Sequence, residues 1–164
     1  MRILSLSFLV SSFLLPAAAF AAGTPPPCNF VDQEALSALS MGDPSQVLDH
    51  RNVPDPKGGT PQQVDTCTLT RAAAAFPMIV VSTVSLPAGK HPDPSQMETT
   101  CQQKLQTGMW FSVCTAPIKD TVVSLVLLSQ GSPDPSMDTK FRAQAKRLFA
   151  KGTLEATFTS LSGK

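Results

Sequence analysis

Residues 121–128 read Thr-Val-Val-Ser-Leu-Val-Leu-Leu, and a strand with this composition carries apolar side chains on both faces. Such a strand needs cover on both faces, or a place at a sheet centre with helices or a partner against it. Just before it, Phe111, Val113 and Thr115 alternate with Trp110, Ser112, Cys114 and Ala116, and Pro117–Asp120 supplies a turn. These two strands are expected to hold the middle of the core.

The N-terminus sets the compartment. Met1-Arg2 opens a short positive region, Ile3–Leu15 is apolar apart from serines, and Ala19-Phe20-Ala21 has the small-x-small pattern of a cleavage site. Residues 1–21 are therefore read as a signal peptide, 22–27 as a stiff Pro-rich leader outside the core, and 28–164 as one domain. The apolar stretch is shorter than the roughly 20 residues that span a bilayer, and no later stretch is long enough, so no transmembrane segment is expected after cleavage. Cys28 follows Pro25-Pro26-Pro27, not the small residues beside an apolar run that a lipid attachment site carries. The expected location is periplasmic or secreted, in a bacterial envelope. Lys plus Arg number 13 against 12 Asp plus Glu, a net charge of +1, so charge selects neither nucleic acid nor an anionic membrane.

All four cysteines, Cys28, Cys67, Cys101 and Cys114, lie beyond the signal peptide. In an exported chain an even count reads as two disulfides, with three pairings open. Zinc is disfavoured, because there is no C-x-x-C and both histidines stand far from the cysteines in sequence. No metal and no cofactor are expected.

Along the chain, Asn29–Ser40 has helical spacing, with Asp32 as N-cap, Glu34 in the first turn and Gly42 as the stop. Asp43–Pro61 is rich in proline and is expected to be loop, with at most a helical turn after Ser45. Val64–Arg71 and Met78–Leu86 read as a hairpin, Asp65, Cys67 and Leu69 sharing one face of the first strand. A helix is expected from Asp93-Pro94-Ser95 to about Leu105, opened by the Ser95–Glu98 capping box and carrying Cys101. Asp134-Pro135-Ser136 introduces a last helix to about Gly152 with Met137, Phe141, Ala145, Leu148 and Phe149 as its apolar stripe, and Thr153–Leu161 alternates like a terminal strand. The fold class is α+β: an antiparallel sheet of four to five strands with helices packed on one face.

The two halves share an order. Cys67-Thr68 answers to Cys114-Thr115, and Val80–Val84 answers to Val122–Val126, as a duplicated αββ unit would produce. A repeat of this kind selects the pairing Cys28 with Cys67 and Cys101 with Cys114, each joining a helix to its own hairpin. Cys28-Asn-Phe-Val-Asp-Gln-Glu-Ala-Leu, followed by a long loop and Cys67-Thr68 on a strand, resembles actinobacterial secreted lipoproteins and the extracellular sensor domains of mycobacterial receptor kinases. The resemblance covers about the first half of the chain, and it implies a disulfide-linked fold of helices on a sheet. The chain departs from it in having neither a lipidation cysteine nor a kinase.

Chemistry is sparse. His50 and His91 are the only histidines, so a Ser-His-Asp or Cys-His mechanism must use one of them, and both lie in Pro-rich contexts where a solvated ring is the ordinary outcome. No spacing singles out a carboxylate pair, and Gly58-Gly59 lacks the context of a phosphate loop. The remaining candidates are partner-binding: Arg142, Lys146 and Arg147 in a basic cluster on the last helix, Trp110 as core anchor or binding aromatic, and His50 with Arg51 in the irregular segment. The expected function is a non-enzymatic exported protein that binds a protein or envelope component, as an inhibitor, immunity-type or accessory factor. A small-ligand or sensor module is the alternative, and an unrecognised hydrolase the second alternative.

Overall fold

Two three-stranded meanders meet along their apolar strands. A computed structural model describes residues 26–54, 61–71, 74–86, 99–131 and 134–162. Strands β1 (Ser45–Val53), β2 (Gln62–Arg71), β3 (Ala74–Ser85), β4 (Thr100–Gln106), β5 (Met109–Ile118) and β6 (Thr121–Gln130) form one antiparallel sheet in the order β1-β2-β3-β6-β5-β4. A short 3-10 helix (Pro27–Phe30) and α1 (Gln33–Ala38) precede the sheet, and α2 (Pro135–Leu148) and α3 (Lys151–Ser162) follow it. The α+β class holds, with six strands in place of four or five.

The strand faces explain the core. Cys67, Leu69, Ile79, Val81, Cys114, Ala116, Val123, Leu125 and Leu127 all point to one side of the sheet and are buried together with Phe30, Leu39, Phe141, Phe149 and Phe158 of the helical layer. The apolar run of β6 does lie at the sheet centre, beside β3. The β4–β5 turn needs positive φ twice: Thr107 (51°) and Gly108 (74°) make the two-residue link, a conformation matched to the twist of a hairpin.

Several expectations change. Asp43–Pro61 is not all loop, since Ser45–Val53 is strand β1; an edge strand exposed on both faces leaves almost no hydrophobic alternation to read. Thr100–Gln106, expected as helix, is strand β4. Its Gln, Lys and Leu favour helix locally, but pairing with β5 and a disulfide between directly opposed residues override that preference. Thr153–Leu161 lies within α3, because Leu154 and Phe158, four apart, satisfy a helical stripe as well as an alternating one. Pro27 is no solvated leader residue, being buried within the 3-10 helix. Residues 1–25, His91 and the Ser95–Glu98 box lie outside the described residues.

Both disulfides pair as the repeat selected, Cys28–Cys67 and Cys101–Cys114. Only the first joins a helix to a strand; the second ties β4 to β5. Cys67 opposes Val81 and Cys114 opposes Leu125, and Val81 and Leu125 oppose each other across β3 and β6. With the two strand cysteines taken as equivalent, a two-fold relation passes through that central pair and exchanges one β-meander with the other. The repeating unit in the sheet is then three strands, and Val81 answers to Leu125 where Val123 was expected.

Candidate functional site

The side of the sheet away from the core carries the broadest accessible surface built by these strands. Register places its side chains in rows. Val47, Thr68, Val80, Val126 and Val113 make one; Arg51, Val64, Val84, Val122 and Pro117 make another. Between them runs a polar row, Asp49, Thr66, Ser82, Ser124, Thr115 and Thr100, in which the Thr100 and Thr115 hydroxyls lie 2.9 Å apart. None of these side chains is buried, whereas those of the same strands pointing the other way are 0–2% exposed at the sheet centre. Neighbouring strands shield them sideways, and among the described residues no helix covers them from above.

At the β1 side this surface deepens into a shallow trough of about 730 Å³ along Val47, Arg51 and Val53 of β1 and Val64 and Thr68 of β2. Val47, Leu48 and Val53 are 61%, 51% and 43% exposed, three of the four large apolar side chains so exposed among the described residues. The sequence pointed to Arg51 and the irregular segment around it, but not to the strand that forms this surface. Its signal is the alternation of Val47, Asp49, Arg51 and Val53 with Leu48, His50 and Asn52, too polar to stand out as a strand.

The predicted site residues do not converge. Arg142 and Arg147 sit on α2 and are held in ion pairs: Arg142 Nε donates to Asp138 at 2.8 Å, and Arg147 donates to both carboxylate oxygens of Asp32 at 2.8 and 2.6 Å with Glu34 at 3.2 Å. The Arg147 guanidinium holds the Asp32 carboxyl below its ordinary value, helped by the amide of Ala35 that Asp32 caps, and Asp32 raises the guanidinium pKa in turn. Lys146 is exposed. Trp110 is half-buried at the end of β5, its Nε1 buried without a partner among the described residues. His50 and Arg51 stand on opposite faces of β1, and Arg51 Nε lies 2.5 Å from Asp49.

His50 does meet a carboxylate. Its Nδ1 lies 2.5 Å from Oδ1 of Asp65, a buried residue that also accepts from Gln63 Nε2 at 3.4 Å. A triad of hydroxyl, histidine and carboxylate requires the imidazole between the other two. Here the register runs His50, Asp65, Thr83, so the buried Thr83 hydroxyl is beyond the carboxylate and the order is wrong. A second polar cluster forms around Asp138, which accepts from Ser112 Oγ, from Gln103 Nε2 at 2.6 Å and from Arg142; it pins α2 to β4 and β5. It holds no histidine. Among the described residues no three His, Cys, Asp or Glu side chains gather as a metal set, and no helix is long and apolar enough to cross a membrane.

A separate cavity of about 430 Å³ lies between α3 and the β5–β6 turn, lined by Ile118, Lys119, Phe149, Leu154, Glu155 and Thr159. Lys119 Nζ stands 4.9 Å from the ring centroid of Phe158 beside it. No family model, curated protein or solved structure matches this chain.

Proposed function

We propose that this chain is a non-enzymatic binding protein of the bacterial periplasm or exterior, which docks a protein or envelope component on the uncovered face of its sheet. The observation that carries the reading is that face: two rows rich in valine, each over five strands, flank a row of hydroxyls, and among the described residues all three are left accessible. Apolar rows supply transferable area, and the hydroxyl row supplies hydrogen bonds that fix orientation, the division of labour that protein interfaces use. The disulfides suit an oxidising compartment.

The test is capture from envelope extracts by the oxidised protein lacking residues 1–21, read by mass spectrometry. One stoichiometric protein retained by the wild type and lost by a Val80→Lys, Val126→Lys double variant of unchanged circular dichroism supports the reading. Retention by that variant would place the contact elsewhere. The cavity under α3 favours a second reading, a small-ligand module, since its size falls in the range of ligand pockets and it pairs apolar walls with Lys119 and Glu155. A small molecule carried through purification, without a protein partner, would select that reading.

A further inference from the structure

We infer that β1 is a dimerisation strand, and that two copies of this chain join edge to edge through it into one continuous sheet. The inference is independent of what the open face binds.

Among the described residues both edges of the sheet, β1 and β4, present unpaired backbone along one side, an invitation to another strand unless side chains forbid it. β4 forbids it. Its single charged residue is Lys104, and every two-fold register sets that lysine against a neutral residue or against its own copy. β1 differs, because it carries one charge of each sign, Asp49 and Arg51, two residues apart on the same face.

In an antiparallel pair of identical strands the two-fold axis can pass through any residue opposed to its own copy. Centring it on Asp49 opposes two carboxylates, and centring it on Arg51 opposes two guanidinium groups. Centring it on His50 opposes Asp49 with Arg51 of the second copy, twice. The same register sets Val47 against Val53 twice and Leu48 against Asn52 twice. Asp49 and Arg51 are already 2.5 Å apart within the strand. The dimer therefore closes the four charges into a square in which each carboxylate meets two guanidinium groups. This square lies on the open face, between two Val47–Val53 pairs that cover the most exposed valines of the trough. On the other face the two His50 rings oppose each other at the axis, each beside Asp65 of its own chain. The register thus covers exposed apolar side chains, joins the free backbone edge and pairs the edge charges.

Sedimentation of the oxidised protein, over a range of concentrations at neutral pH, tests this. A concentration-dependent dimer is expected. Asp49→Arg and Arg51→Asp, made singly, each turn the square into four like charges and weaken the dimer roughly tenfold or more. The double variant D49R/R51D restores opposite charges across the same register and returns dissociation to near the wild-type value. All of these positions are on an edge strand, and circular dichroism checks that the variants fold. A monomer at every concentration, a dimer that the single variants leave intact, or a double variant as weak as the singles would each overturn the inference. A monomer that captures an extended peptide of another protein through β1 would overturn it too, by naming a different occupant.

Discussion

Asp138 and Asp32 do different work for α2. Asp138 is buried and takes hydrogen bonds from Ser112, Gln103 and Arg142, so its removal leaves three donors without their acceptor. Asp138→Ala is expected to cost about 2–3 kcal/mol by denaturant unfolding, mostly as the desolvation of groups left unpaired. Asp32 is half-exposed, and its link to Arg147 is better read through pH than through energy. Its carboxyl is held below the ordinary 3.8, chiefly by the Arg147 hydrogen bond. A depressed folded-state pKa contributes stability above the unfolded value, and that stability is lost as pH falls through the folded one. Arg147→Gln should therefore lower the unfolding midpoint at pH 5 and above, with the gap to wild type closing below about pH 4; a gap constant from pH 7 to 2.5 would contradict the assignment.

At the scale of elements, the two disulfides should not be equal. Cys28 and Cys67 are 39 residues apart and Cys101 and Cys114 only 13. Loop-closure entropy assigns about 4 kcal/mol to the first and about 3 to the second. Replacing each pair by alanine and measuring urea midpoints should rank them in that order. Losing Cys101–Cys114 should also speed amide exchange selectively in β4, whose other holds are its pairing with β5 and the Gln103 hydrogen bond to Asp138. Strands and helices were legible where burial leaves a period: β2, β3, β5, β6 and α2 all read correctly from Cys67, Leu69, Ile79, Val81, Leu125 and Phe141. The edges were not. In β1 and β4 both faces see solvent, selection for apolar side chains is weak on either, and local propensity points elsewhere.

For the molecule as a whole, the deciding asymmetry is that, among the described residues, helices cover one face of the sheet and not the other. Leu127 and Leu128 are neighbours on β6 with opposite outlooks, 2% exposed for the first and partly exposed for the second. Leu127→Ala is expected to cost about 3 kcal/mol and Leu128→Ala about 1 or less, measured as unfolding free energies. Equal losses would mean that the second face is covered as well. The apolar character of Thr121–Leu128 on both sides was plain from the residues alone, and so was the need for something against each side. Which side the helices take is decided by the chain's path. Cys28 fastens the 3-10 helix to Cys67, and Asp138 fastens α2 to Ser112, both on the same face.

The sequence by itself determined the α+β class, the central apolar strands, the capped first helix and the stripe on α2; it left three cysteine pairings open, of which the structure shows the one that the internal likeness favoured. These follow from periods and spacings that a few neighbouring residues carry. Only the tertiary structure decided that β1 and β4 are strands, that Arg142 and Arg147 are bound within the fold, and that valine and hydroxyl rows align across the sheet. Those features depend on register between residues distant in the chain, which no local pattern records.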